Sequence, residues 1–207
     1  EAMTKLGLAI SLDRCIGCQT CANACKMQNS VPMGMQWNRV VTEGCDIMDG
    51  AHGTYPDLSR TYLPIACQHC ENPACLKVCP TGATYKDEMG RVEINYDNCI
   101  GCRMCMAACP YNARSFNWED PVHDPDFNYG DKDVPVRVKG VAEKCTLCKE
   151  RTDRGDEPMC VKCCPTKART FGDLDDPKSA ISQLIREKHA YVLLEDKGTK
   201  PQVHYFD

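Results

Sequence analysis

An α+β fold assembled from small, repeated βα units is the architecture this chain predicts, on three observations. First, sixteen of the 18 cysteines in its 207 residues fall into four groups of four. Cys15, Cys18, Cys21 and Cys25 read C-x2-C-x2-C-x3-C, and Cys99, Cys102, Cys105 and Cys109 repeat that spacing. Cys67, Cys70, Cys75 and Cys79 read C-x2-C-x4-C-x3-C, and Cys145, Cys148, Cys160 and Cys164 read C-x2-C-x11-C-x3-C. Second, three groups close on Cys-Pro-x-x-Ala followed by an aromatic residue, starting at Cys79, Cys109 and Cys164. Third, the approach Ile10-Ser11-Leu12-Asp13-Arg14-Cys15 matches Ile94-Asn95-Tyr96-Asp97-Asn98-Cys99, so the unit repeats as a whole.

Each unit reads alike. A short alternating strand enters a ligand loop, and a helical turn carries the last cysteine. Proline then blocks the helix, because it lacks an N–H and clashes with the preceding turn. The residue before it is pushed towards extended geometry. The first group departs from this, with Lys26 after Cys25. Residues 29–66 are rich in Pro, Gly and polar side chains and read as a long loop with little regular structure. Residues 117–135 are acidic and Pro/Gly/Asp-rich, as expected of a surface insertion. Asp176 is expected to cap a helix with Pro177 at its first position. Ala180, Ile181, Leu184 and Ile185 form its apolar stripe, expected to pack on the core. Strands at 190–194 and 202–206 around Glu195-Asp196-Lys197-Gly198 read as a terminal hairpin.

The cysteine spacing also carries chemistry. C-x2-C-x2-C-x3-C-P is the bacterial ferredoxin pattern for cubane iron–sulfur clusters. The first three cysteines can wrap one [4Fe–4S] cube. The fourth lies one helical turn on and points elsewhere, so the groups are expected to work in pairs. Iron and sulfide favour soft thiolates, which an all-cysteine shell supplies. A disulfide framework seldom repeats such close spacings, and zinc sites separate two cysteine pairs by a longer spacer. A radical-forming cluster would leave one iron open on a three-cysteine group, whereas every group here has four. Cys163 and Cys164 are adjacent, but only Cys164 keeps the x3 spacing from Cys160 and the following Pro165. Cys163 and Cys45 are left over as small buried hydrophobes. His69, inside Cys67-Gln68-His69-Cys70, lacks the second histidine that a Rieske centre needs. No catalytic triad, paired carboxylates or phosphate-binding glycine loop is readable, so the chain is expected to be non-catalytic.

Composition narrows the partners. The formal charge is −4, and four clusters with their thiolates would add about −8. That argues against nucleic acid. Lys26, Lys77, Arg103, Lys149 and Lys162 flank the ligands and are expected either to screen them or to sit solvated. Sixteen members of the 43% hydrophobic set are ligands rather than core, so metal binding is expected to supply much of the folding free energy. No run approaches the ~20 apolar residues of a membrane span. No secretory leader or twin-arginine pattern is readable, so export is expected to ride on a partner, and membrane contact to be through a partner.

Four such groups in this order resemble the four-cluster electron-transfer (beta) subunits of the dimethyl sulfoxide reductase family of molybdopterin oxidoreductases. Within that family the chain resembles the polysulfide, tetrathionate and arsenate reductase subunits. The likeness extends to Glu71-Asn72-Pro73, Cys79-Pro80-Thr81-Gly82-Ala83, Cys109-Pro110-Tyr111 and Phe171-Gly172-Asp173-Leu174-Asp175-Asp176-Pro177. The resemblance implies two ferredoxin-like modules of two clusters each: residues 1–62 with 136–207, and residues 63–120, with 121–135 as an insertion. It implies crossed ligation. Cys15, Cys18, Cys21 and Cys164 hold one cluster, and Cys145, Cys148, Cys160 and Cys25 hold its neighbour. Cys67, Cys70, Cys75 and Cys109 hold a third, and Cys99, Cys102, Cys105 and Cys79 a fourth. Cys102 is retained where some relatives carry Trp and a [3Fe–4S] cluster. The implied function is a relay of single electrons between a large molybdopterin-containing catalytic subunit and a quinone-linked membrane subunit. The implied location is the extracytoplasmic face of the cytoplasmic membrane, with a cytoplasmic one left open. A hydrogenase or formate dehydrogenase subunit, a free polyferredoxin and a redox sensor are the alternatives.

Overall fold

A computed structural model describes residues 4–42, 51–122 and 129–207. Cys45 and part of the expected insertion lie outside the described residues. In chain order the elements are β1 (Leu6–Ser11), α1 (Thr20–Gln28), β2 (Asn38–Thr42), β3 (His52–Thr54), β4 (Asp57–Ser59), β5 (Tyr62–Ala66), α2 (Ala74–Lys77), β6 (Thr84–Lys86), β7 (Val92–Ile94), α3 (Met104–Ala108), β8 (Ser115–Phe116), β9 (Ala142–Glu143), α4 (Lys149–Thr152), α5 (Met159–Lys162), β10 (Arg169–Asp173), α6 (Ala180–Glu187) and β11 (Val203–Phe206). The mixture of short strands and short helices is the expected α+β class.

β1 is the centre of a three-stranded sheet ordered β10-β1-β11. It pairs antiparallel with β10, Leu8 opposite Phe171, and parallel with β11, Leu8 opposite Val203. All six of its residues are buried, so the expected half-exposed alternation is absent. The alternation is one of size. Leu6, Leu8 and Ile10 face a core shared with Cys21 and Cys160, while Ala9 faces α6 through Ile181. A Cβ on Gly172 would come within 2.8 Å of Ile181 Cγ2, so small residues on this face let the helix approach. Ile181 is 0% exposed, a burial that stabilises by roughly 1.5–3 kcal/mol.

Three expectations are corrected. The stretch 29–66 is not loop throughout. β2 and β5 pair over five residues, Asn38 opposite Ala66 to Thr42 opposite Tyr62. Val40, Val41, Leu63 and Ile65 suit a pleated surface, and Pro64 is tolerated because this is a two-stranded ribbon. The last helix starts at Ala180, not Pro177: Ser179 is the N-cap, its Oγ accepting from Ser182 N at 3.2 Å. Asp176 instead accepts from Lys178 N at 2.8 Å, a local turn that competes with helix. The terminal hairpin does not form as two strands. β11 joins β1, and 190–194 meets it only at the bridge between Tyr191 and Tyr205. The buried β1 edge offers β11 a full ladder.

The helix ends follow the proline reading. α3 stops at Ala108, just before Cys109-Pro110, and α2 and α5 stop two residues before Cys79 and Cys164. With Lys26 in place of proline, α1 runs three residues past Cys25 to Gln28.

Candidate iron–sulfur centres

The ligand loops share one backbone device. The residue before the second cysteine of every group has positive φ: Gly17 (68°), His69 (42°), Gly101 (68°) and Leu147 (52°). Glycine enters this left-handed region without penalty, whereas His69 and Leu147 are held there by their surroundings. The turn aims backbone N–H groups at sulfur: Leu147 N donates to Cys145 Sγ at 3.4 Å, and Gly17 and His69 do the same for Cys15 and Cys67. A second left-handed residue follows each Cys-Pro, at Gly82, Asn112 and Lys167. Beyond it, Thr84 N donates to Cys79 Sγ at 3.4 Å and Ala168 N to Cys164 Sγ at 3.3 Å.

Cysteines from different groups meet. One cavity of ≈ 340 Å³ is lined by Cys15, Cys18, Cys21 and Cys164. Another of ≈ 350 Å³ is lined by Cys67, Cys70, Cys75 and Cys109, and a third of ≈ 340 Å³ by Cys99, Cys102, Cys105 and Cys79. Cys25 is buried and interacts with Cys145, Cys148 and Cys160. Asn29 Nδ2 joins the two sides of this set, 3.6 Å from Cys25 Sγ and 3.9 Å from Cys148 Sγ. Cys163 turns away: its thiol donates to the Thr20 carbonyl at 3.8 Å, and it lines none of the three cavities.

The donor chemistry fits a multi-iron core. Burial pushes the Cys25 and Cys145 thiols well above their ordinary range, and the neighbouring cysteines push the same way. Burial likewise drives Cys148 and Cys70 up to about 12. Four thiolates in such a pocket repel one another unless positive metal lies between them, so assembly and folding are coupled. Among the described residues no group of His, Cys, Asp and Glu is arranged for a lone metal ion.

The flanking cations are mostly engaged elsewhere. Lys26 Nζ donates to the Pro32 and Met35 carbonyls, Lys149 pairs with Asp153 at 2.6 Å, and Arg103 lies over Phe116 and Trp118. Lys77 and Lys162 are exposed. Among the described residues the arginines that reach sulfur are Arg169, whose Nη2 is 3.5 Å from Cys21 Sγ, and Arg114, beside Cys75 and Cys105. Neither is among the flanking charges read from the sequence. Their signal was Cys-Pro-x-x-Ala-Arg, present at 109–114 and 164–169. His69 is fully buried, and its Nδ1 accepts from Val92 N at 3.1 Å.

Known proteins resemble this chain. Residues 58–124 and 133–174 match a family described as a 4Fe-4S dicluster domain, residues 98–152 match a second 4Fe-4S dicluster domain, and residues 12–28 match a 4Fe-4S binding domain. A Halobacterium salinarum protein described as a dimethyl sulfoxide reductase iron–sulfur subunit is 53% identical, over 99% of this chain and 80% of its own length. The iron–sulfur subunit of the arsenate respiratory reductase of a Shewanella species is 39% identical, over 97% of this chain and 95% of its own. The iron–sulfur cluster-binding subunit of menaquinone reductase from Nitratidesulfovibrio vulgaris is 37% identical, over 99% and 89%. With its four cysteine groups and near-full-length likeness to these proteins, the chain belongs to the iron–sulfur electron-transfer subunits of the dimethyl sulfoxide reductase family, and is a carrier of [4Fe–4S] clusters rather than a catalyst.

Proposed function

We propose that the chain relays single electrons along four crossed-ligated [4Fe–4S] clusters between a large molybdopterin-containing catalytic subunit and a quinone-linked membrane subunit. The carrying observation is that the last cysteine of each group faces the first three of another. On this reading one cluster takes Cys15, Cys18, Cys21 and Cys164, and its neighbour takes Cys145, Cys148, Cys160 and Cys25. Cys67, Cys70, Cys75 and Cys109 hold the third, and Cys99, Cys102, Cys105 and Cys79 the fourth. When bound, each cluster supplies reversible one-electron chemistry. The chain supplies thiolates, backbone N–H groups that stabilise the sulfurs, and a water-poor interior.

Contacts between the sets support a linear order. Arg169 touches Cys21 and Cys160, linking the first set to its neighbour. Cys145 interacts with Cys67, linking that neighbour to the third. Arg114 lies between Cys75 and Cys105, linking the third to the fourth. The ends of this line are the exposed ones: Cys18 with Ile16 at 59% exposure, and Cys102 with Ile100 at 67%. Electrons enter at one end and leave at the other, and the two partners dock there. Among the described residues no helix is long and apolar enough to cross a membrane; this reading gives the quinone chemistry to a partner. A place on the extracytoplasmic face by co-export is part of this reading.

Two ferredoxin-like modules organise the line, residues 1–62 with 136–207 and residues 63–120. The β1–β10 pairing supports the first and the β6–β7 ribbon the second. Contacts join them: β5, which starts at Tyr62, pairs with β2, β8 pairs with β9, and Cys25, Cys67, Tyr111 and Cys145 share one core. Residues 129–134 of the insertion are docked rather than loose: Asp131 pairs with Arg154 and accepts from Gln28, and Val134 is buried. Anaerobic purification tests the reading. About sixteen irons and sixteen sulfides per chain, with a large molybdenum-containing subunit co-purifying, is the expected result. About eight irons, or a protein that purifies alone, overturns it.

A further inference from the structure

Arg169 and Arg114 are only 5% and 4% exposed, and among the described residues neither has a carboxylate within ion-pair distance. A buried cation without a counter-charge is strongly disfavoured. Their neighbours are sulfur. Arg169 Nη2 donates to Asn38 Oδ1 at 3.2 Å and to Cys21 Sγ at 3.5 Å, and the side chain also interacts with Cys160. Arg114 Nη1 donates to Thr84 Oγ1 at 3.2 Å, and the side chain interacts with Cys75 and Cys105. Its buried Nη2 has no hydrogen-bond partner, and the side chain lines the cavities of both Cys75 and Cys105. The four cysteines involved are each the third of their group, so each arginine stands between two groups. The pattern has a two-fold logic. Cys-Pro-x-x-Ala is followed by Arg at 114 and 169 but by Thr at 84, which leaves one arginine for each pair of cysteine sets.

We propose that Arg169 and Arg114 are electrostatic bridges, each guanidinium holding one cysteine sulfur from either of two neighbouring clusters, so that it raises both potentials and offsets their mutual repulsion. This deepens the crossed-ligation reading and rests on it. A reduced cluster is one unit more negative than an oxidised one, so a fixed cation between two of them favours the electron on either. The guanidinium stays protonated throughout, so no proton moves with the electron and no bond is made or broken. A planar fork can reach two sulfurs at once, whereas a lysine ammonium is a point charge. Hydrogen bonds to cluster sulfurs and local charge are established levers on potential.

The test is a redox titration of the iron-loaded protein, with its native partners, monitored by paramagnetic resonance. Arg169→Gln is expected to lower the potentials of the clusters assigned to Cys15 and to Cys145, each by about tenfold in its redox equilibrium constant, or 59 mV for one electron. The other two should stay put, and Arg114→Gln should give the mirror result. If Arg169→Gln loses iron, Arg169→Lys decides: it keeps the charge but reaches one sulfur, so one potential of the pair should fall and the other hold. Unchanged potentials in a fully loaded variant overturn the proposal, as does an equal shift in all four clusters. Loss of iron from the pair in both variants assigns Arg169 to assembly and also overturns it. Failure of crossed ligation would appear separately, as loss of the Cys15 cluster rather than the Cys145 cluster in Cys25→Ser.

Discussion

The two halves of the molecule hold cysteines of the same spacing in very different surroundings. In the first, Cys21, Cys25, Cys145, Cys148 and Cys160 are buried, Cys15 and Cys164 half-buried and Cys18 exposed, and the group is backed by the β10-β1-β11 sheet, by α6 and by a core from Leu6 to Tyr205. In the second, Cys67 and Cys70 are buried, but Cys75, Cys79, Cys99, Cys105 and Cys109 are only partly so, and Cys102 is exposed. There the scaffold is two-stranded ribbons and helices of four or five residues, α2 packed on α3. An isolated ribbon is marginally stable in water. The lesson is that the same ligand loop can rest on a protein core or on its metal, and the second half leans on metal.

Stripping the clusters is the severest way to test this contrast. The whole chain should lose cooperative structure, with amide protection in residues 67–120 lost before that in β1 and β10. Hydrogen exchange during anaerobic chelation reads the order, and a cluster-free chain with native circular dichroism and a sharp melt would contradict it.

Single ligand changes come next. Cys25→Ser should damage the cluster of Cys145, Cys148 and Cys160, on the well-packed side, and spare that of Cys15, Cys18 and Cys21. Cys163→Ser should keep the full iron complement, because that thiol faces the Thr20 carbonyl. Site-assigned paramagnetic resonance separates these outcomes. Loss of the Cys15 cluster in Cys25→Ser would show the crossing to be wrong.

Backbone changes should cost less. A Cβ on Gly101 would clash with the Gly140 carbonyl oxygen, whereas one on Gly82 meets nothing within 4 Å. Gly82→Ala should therefore cost roughly 1 kcal/mol of left-handed strain, and Gly101→Ala roughly 3 kcal/mol once crowding is added. Denaturant midpoints of the loaded protein should rank them in that order.

The smallest effect concerns pH. Burial raises the Glu93 carboxyl to about 7, against the pull of Lys144 and Arg91. A folded-state value above the unfolded ~4.3 means that the folded protein binds the extra proton. Stability from this group is intact below about pH 4 and declines as pH rises through 7. Glu93→Gln should then gain on the parent between pH 6 and 8, by about 1 kcal/mol, in parallel unfolding curves. A constant difference across that range would remove the carboxyl as the cause.

Much of this was readable from local pattern, because its causes are local. Cysteines two residues apart demand a tight loop, and a proline after the fourth cysteine ends a helix whatever surrounds it, as α3 shows; Lys26 in that position let α1 run on. Other features had no local signature. Leu147 and His69 adopt the backbone of Gly17 and Gly101 because packing imposes it, and propensity alone would not place them there. β2 and β5 were hidden by a proline and by more than fifteen intervening residues, and β11 chose β1 over its neighbour in sequence because that edge was buried.

The cysteine register specifies what is bound and which thiols are eligible, since ligand type and spacing are properties of a short stretch of chain. Which thiols share a cavity depends on elements far apart in sequence: Cys164 reaches Cys15 because β10 lies beside β1. The same holds for the two arginines. Their positions in the repeat are visible in one dimension, but a charge acts through distance and burial. Only packing sets Arg169 between Cys21 and Cys160 with no carboxylate to answer it.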